Sequence, residues 1–248
     1  MITFPDDVKA AYSRSKNIIR KTPLDHSPAL SNIIDGDVYL KLDNIQKTGS
    51  FKFRGAISKM TSLNEKQRKR GVVTASTGNH GAAVSLGMKI LGINGSIIVP
   101  ENIAPNKVEN IQNLGGTVEY YGNDCLEAEQ RAQEISSGTG ATYISPYNDP
   151  VIVAGQGTMG VELDEDLKNI DAVIVAVGGG GLISGIGGYL KTVQPNVEMI
   201  GCSPKNSCVM YESLQAGTIV DLPSKPTLSD GTAGGVEENS ITFEICKK

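Results

Sequence analysis

One lysine, Lys52, stands between Phe51 and Phe53 in TGSFKFRGA (48–56), and the chain has only four phenylalanines to place. An ammonium laid against apolar surface loses water, which disfavours its charged form, so such an amine becomes a nucleophile or base near neutral pH. Taken alone, the segment favours a plainer reading. Phe53, Ala56, Ile57 and Met60 recur at helical spacing and Ser50 is a good N-cap, so an amphipathic helix would open here with Lys52 on its wet side. The two readings are compatible, because the positive end of a helix dipole also disfavours a cation in the first turn.

Two other stretches could receive anions. STGNHG (76–81) follows the strand-like VVTAS and precedes a helical pattern, so its backbone N–H groups would point outward at a helix N-terminus and suit a carboxylate or phosphate. Ser76 and Asn79 add side-chain donors, and Gly78 and Gly81 permit close approach. The plain alternative is that Ser76 or Asn79 merely caps the helix while His80 packs beside it. The second stretch is more specific: AVIVAV reads as a fully buried strand and runs into Gly178, Gly179, Gly180 and Gly181, then a helix near Leu182. Four residues without side chains at the positive end of a helix make a phosphate cradle. No Lys-Ser/Thr follows, as a P-loop requires, and the spaced G-x-G-x-x-G of dinucleotide folds is absent.

The elements that must position these groups alternate from Gly71 onward. Strands are predicted at 72–76, 96–100, 117–121, 141–145, 172–177 and 197–202, with helices at 82–91, 107–114, 126–136, 153–166 and 182–191. That order predicts an α/β fold with parallel sheets wrapped by helices. The basic run in EKQRKRG reads as a helix end closed by Gly71.

With 248 residues, 39% hydrophobic and 20% charged, the chain can bury a sizeable core as one large domain or two small ones. A formal charge of −4 argues against nucleic acid or an anionic membrane as the main partner. The four cysteines form no CxxC pair, which fits free thiols in a reducing compartment. Two histidines exclude a histidine-rich metal site. With neither a secretory signal nor a membrane-length apolar run, a cytoplasmic protein is expected.

A lone phosphate, a carboxylate-binding loop and a desolvated lysine together describe pyridoxal phosphate holding an amino acid. SFKFRGA, STGNHG, AGQGT (154–158), GGGGL and SDG (229–231) resemble, in this order, the motifs of fold-type II pyridoxal-phosphate enzymes, most closely the serine/threonine dehydratases and serine racemases. The resemblance implies a tryptophan synthase β-like fold of two open twisted α/β domains. A large cofactor-binding domain would come from 1–70 and 148–248, and a small substrate-carboxylate domain from 71–147. Lys52 would be the Schiff-base lysine, with the ring packed near Phe51, Asn79 on the ring hydroxyl, and Gly178, Gly179, Gly180, Gly181 and Leu182 on the phosphate. Ser76, Thr77, Gly78, Asn79 and His80 would receive the substrate carboxylate.

The implied reaction is β-elimination from a hydroxylated L-amino acid such as L-threonine or L-serine, giving a 2-oxo acid and ammonia, with Lys52 removing the α-proton. A homodimer is expected. Serine racemase or a β-replacement synthase is the alternative, and a truncated, weakly active cofactor-binding protein is the alternative of another class. Thr77 stands where racemases place a serine for the second face of the substrate, so it is a candidate catalytic hydroxyl. Ser203 stands where many relatives carry a metal-binding glutamate, so no metal is expected. The serine or threonine that the family places on the pyridine nitrogen, near its C-terminus, has no counterpart before Lys248.

Overall fold

The computed structural model describes residues 4–248. It begins with α1 (Asp6–Ser15), then β1 (Leu24–His26), α2 (Pro28–Ile34) and β2 (Tyr39–Lys41), the two strands pairing antiparallel. Next come α3 (Lys52–Ser62) and α4 (Glu65–Arg70). An alternating stretch follows: β3 (Val72–Ala75), α5 (Asn79–Leu91), β4 (Gly95–Val99), α6 (Pro105–Asn113), β5 (Val118–Tyr120), α7 (Cys125–Thr139) and β6 (Thr142–Tyr143). The chain then runs through α8 (Pro150–Asp166), β7 (Ala172–Ala176), α9 (Gly181–Val193), β8 (Glu198–Cys202), α10 (Val209–Ala216) and α11 (Ile241–Cys246).

The predicted α/β alternation is present. A parallel sheet runs in the order β5-β4-β3-β6, with Thr74 opposite Ile97 and Ile97 opposite Val118. A second parallel pair joins β7 to β8, with Ile174 opposite Ile200. Two main cores match these sheets. One gathers Phe53, Ile57, Met60, Val84, Met88, Ile97 and Ile144 between α3, α5 and the four-stranded sheet. The other gathers Val8, Ala11, Met159, Leu163, Ile186 and Leu190 between α1, α8 and α9. Helix α8 contributes to both cores, since Ile152 lies in the first and Ala154 in the second.

Several local expectations are corrected. Ser50 does not cap α3: the cap position is Phe51, already helical at φ −60° and ψ −19°, and the Ser50 hydroxyl is buried without a partner. Helix α8 begins three residues earlier than predicted, because Asp149 accepts the N–H groups of Val151 and Ile152 and Pro150 sits in the first turn. Strand β7 is not buried on both faces. Ile174 is 68% exposed, since among the described residues only β8 pairs with β7 and α9 covers one side. Residues 6–41, whose elements the sequence did not signal, supply α1 to the second core.

Candidate active site

Lys52 opens α3, and its side chain is not on the wet side of that helix. The Nζ donates to the Pro146 carbonyl at 2.9 Å and lies 5.4 Å from the centroid of the Phe51 ring. Burial lowers its pKa to about 8, the direction expected of an amine that must give up its proton near neutral pH.

The helix bearing this amine is held rigidly. Arg54, fully buried two residues on, donates from Nε and Nη2 to Asp43 at 2.7 Å each, and from Nη1 to Glu162 of α8 at 2.6 Å. Burial works against the guanidinium charge, but the hydrogen bonds it donates to Asp43 and Glu162 outweigh that cost and raise the pKa above the ordinary value. Lys41 Nζ, 2.7 Å from Glu162, completes the network. The AGQGT stretch explains how α8 can lie so close. A Cβ on Gly155 would come 2.8 Å from the Gly55 Cα of α3, and a Cβ on Gly157 would come 2.8 Å from the Gly185 carbonyl of α9. Helix α8 therefore packs backbone against backbone on both the lysine helix and the helix that follows the glycine loop.

That loop has the form of a cradle. Gly180 is left-handed at φ +79°, and a Cβ on Gly179 would lie 2.6 Å from atoms of the Tyr147 ring, so neither position accepts an ordinary side chain without strain or displacement. Gly181 begins α9, which has no side-chain cap. Among the described residues, none accepts a hydrogen bond from the N–H groups of Gly178, Gly179 or Gly180. Leu182, in the first turn, packs against the second core.

STGNHG lies at the carboxyl end of β3, and the capping alternative is not what forms. The cap position of α5 is Gly78, without a side-chain cap. The Ser76 hydroxyl accepts the Gly78 N–H at 3.3 Å. Thr77 is half-buried and Asn79 exposed, with Asn79 Nδ2 3.6 Å from the place a Cβ on Gly231 would occupy, so the SDG turn comes up to this loop. His80 is buried, with Nε2 2.8 Å from the Ile144 carbonyl and Nδ1 without a partner. Burial, and next the charge of Lys52, lower its pKa to about 3, so the ring is neutral.

All three motifs meet at residues 144–148, a segment the sequence marks only as a strand end and a domain boundary. His80 reaches Ile144, Lys52 reaches Pro146, and Tyr147 packs on Gly179 and Gly181. Also missed were Thr232, whose carbonyl would lie 2.7 Å from a Cβ on Gly178, and Thr242, whose hydroxyl donates to the Gly179 carbonyl at 2.6 Å. Ser203 donates its hydroxyl to the Val177 carbonyl at 2.9 Å. No group of three or more potential metal-ligating side chains occurs among the described residues, and no helix there is long and apolar enough to cross a membrane.

The arrangement fits pyridoxal phosphate. Unclaimed N–H donors at the start of a 13-residue helix suit its phosphate. A desolvated amine suits its carbonyl carbon, and the unpartnered buried His80 Nδ1, on a ring that feels the Lys52 charge, leaves polar capacity near that amine. A family model described as pyridoxal-phosphate dependent enzyme matches residues 16–248. The L-threonine ammonia-lyase of Thermotoga maritima is 44% identical over 248 residues, all of this chain and 61% of that protein. The catabolic L-threonine dehydratase TdcB of Escherichia coli is 37% identical over 243 residues, 98% of this chain and 74% of that protein. The structure of maize serine racemase superposes with a TM-score of 0.93 at 33% identity, covering 98% of this chain and 73% of that one. The processed threonine deaminase isoform 2 of Solanum lycopersicum does so at 0.91 and 34%, covering 99% and 73%. The chain thus spans less than two thirds of the Thermotoga relative's length and about three quarters of the others. It belongs to the fold-type II pyridoxal-phosphate dependent enzymes, in the family of the serine/threonine dehydratases and serine racemases.

Proposed function

We propose that this protein is a pyridoxal-phosphate dependent ammonia-lyase that converts a hydroxylated L-amino acid, L-threonine or L-serine, into the 2-oxo acid and ammonia. The observation that carries the reading is the convergence on residues 144–148 of one desolvated amine and two anion-binding loops. The names of the two similar ammonia-lyases support the choice of reaction. When bound, pyridoxal phosphate supplies an electron-withdrawing ring next to the substrate's α-carbon.

In this reading the backbone N–H groups of Gly178, Gly179, Gly180, Gly181 and Leu182 hold the phosphate, Phe51 packs beside the ring and Asn79 meets its hydroxyl. Ser76, Thr77, Gly78, Asn79 and His80 orient the substrate carboxylate at the start of α5, where the helix dipole favours an anion. Lys52, neutral above about pH 8, takes the α-proton on Nζ. The β-hydroxyl then leaves as water, and hydrolysis of the enamine product consumes one water, so substrate and products balance without a co-reactant. Residues 71–147 act as a small domain that closes over the substrate. Assembly as a homodimer and a cytoplasmic location complete the proposal.

Racemisation is the second reading, supported by the likeness to maize serine racemase. It needs a proton donor on the face opposite Lys52, and Thr77 is the candidate. A β-branched side chain has restricted rotamers, which limits its aim at the α-carbon. Incubation with L-serine, following pyruvate and D-serine together, separates the two: pyruvate forming faster supports the lyase, and D-serine forming faster overturns it.

A further inference from the structure

A hydrogen-bonded junction next to Lys52 lies outside every sequence motif. Asn148 accepts the Ile241 N–H on Oδ1 at 2.9 Å and donates through Nδ2 to Glu237 Oε2 at 2.7 Å. The Tyr147 hydroxyl accepts the Glu237 N–H at 2.7 Å. These bonds tie residues 144–148 to residues 232–242, which wrap the glycine loop: Thr232 abuts Gly178 and Thr242 donates to the Gly179 carbonyl. Glu237 stands midway between those threonines, in a stretch with no helix or strand until α11 begins at Ile241. The stretch is also held by the Gly234 N–H, which donates to Ser207 Oγ at 3.0 Å, and by Val236, which packs with Val177, Met210 and Phe243, but among its bonds it is those of Glu237 that reach Tyr147 and the Asn148 amide.

The junction touches both halves of the chemistry. Tyr147, held through the Glu237 N–H, is the ring that packs on Gly179, and Pro146, its neighbour, is the acceptor of Lys52. Glu237 Oε1 is buried and has no partner, and burial raises the pKa of this carboxyl while the bond from Asn148 opposes the rise. A half-buried carboxyl kept at such a cost has a positional task as its explanation.

We propose that Glu237 is a positioning residue of the active site: its carboxylate fixes Asn148, and so the segment whose Tyr147 ring lies under Gly179 and whose Pro146 carbonyl faces Lys52, while its backbone N–H, which any substitution keeps, holds the Tyr147 hydroxyl. This rests on the roles given to Lys52 and the glycine loop under the proposed function. What matters is the acceptor that Glu237 offers Asn148, so Glu237→Gln, whose amide oxygen can accept the same bond, keeps the task, and Glu237→Ala loses it.

The test uses the 248-residue chain, with two readouts for each variant. One is the pH profile of Lys52 labelling by trinitrobenzenesulfonate in cofactor-free protein, resolved by peptide mapping. The other is affinity for pyridoxal phosphate from the visible spectrum. Glu237→Ala is expected to move the labelling midpoint up toward the ordinary lysine value and to weaken cofactor affinity about tenfold, while Glu237→Gln stays within about twofold of the parent. Should the alanine variant not fold, Glu237→Asp replaces it, since a shorter carboxylate misplaces the acceptor and is expected to fall well below Gln. Unchanged readouts in the alanine or aspartate variant, or a glutamine variant as impaired as they are, would overturn the proposal. A parent protein that binds no pyridoxal phosphate contradicts the proposed function instead, and the labelling profile, which needs no cofactor, then decides the role of Glu237 by itself.

Discussion

Lys52 and His80 donate to carbonyl oxygens two residues apart on one segment, Lys52 Nζ to Pro146 at 2.9 Å and His80 Nε2 to Ile144 at 2.8 Å. One side chain comes from α3 and the other from α5, so residues 144–148 register the Lys52 amine against the STGNHG loop. A carbonyl oxygen can only accept, which places the His80 proton on Nε2 and leaves Nδ1 as a buried lone pair.

The first prediction concerns stability at alkaline pH. Burial holds the Lys52 amine at about 8, against an ordinary value near 10.5, so the folded state sheds this proton before the unfolded state does. Below pH 8 both states carry it and folding bears the cost of a buried charge. Between about pH 8 and 10.5 the unfolded state binds more protons, and the Lys52 contribution to stability rises with pH. Urea unfolding of the cofactor-free protein should therefore show the parent gaining on Lys52→Met across that window. A parallel pair of curves would contradict the burial of this amine.

His80 gives a prediction at the acid end. Its folded pKa of about 3 lies below the ordinary 6.5, so its contribution to stability is complete above pH 6.5 and is lost progressively as pH falls toward 3. His80→Leu should remove that acid sensitivity. At neutral pH it should cost only about 1 kcal/mol for the lost hydrogen bond, because Thr74 Oγ1 also donates to the Ile144 carbonyl. In nuclear magnetic resonance spectra the His80 ring should show no titration between about pH 5 and 8, and a midpoint inside that range would defeat the prediction.

The glycines of the two loops should differ sharply. Gly179→Ala drives a methyl group to within 2.6 Å of the Tyr147 ring, so it should destabilise the cofactor-free protein by about 1–3 kcal/mol and weaken pyridoxal phosphate binding. A Cβ on Gly78 meets nothing within 4 Å, and Gly78→Ala should change stability by less than about 0.5 kcal/mol. Paired denaturation curves measure both, and equal losses at the two positions would contradict the prediction.

Much of this was legible in the sequence because the signals were local. The alternation of strands and helices, the glycine run and the apolar neighbours of Lys52 each lie within a few residues. What was not legible depends on partners far apart in the chain. Asn148 and Glu237 are 89 positions apart, and Arg54 and Glu162 are 108 apart, so no periodicity or spacing announces either pair. The apolar run of β7 also misled: such a run reads as buried on both faces, yet the number of neighbouring strands decides burial, and Ile174 remains open. Ser50 has the residue type of a cap, but the backbone at Phe51 is already helical, so the cap position falls one residue later.

The buried network behind Lys52 carries a prediction of its own. Arg54→Leu leaves Asp43 and Glu162 without their shared cation and should cost about 3–5 kcal/mol, whereas Lys247→Ala, which breaks an unrelated surface pair with Glu244 at 3.0 Å, should cost less than about 1 kcal/mol. Equilibrium unfolding measures both. A small loss at Arg54 would mean that α3 is not anchored through this network.

The central claim is that Lys52 is the amine that meets the cofactor carbonyl. The direct measurement is reduction of the pyridoxal phosphate-loaded protein with borohydride, followed by proteolysis and mass mapping of the modified peptide. The account predicts a single pyridoxyl group, on Lys52 in the SFKFR segment, and its absence from Lys52→Ala. A pyridoxyl group on any other lysine, or an unmodified Lys52 in protein that has bound the cofactor, would contradict it.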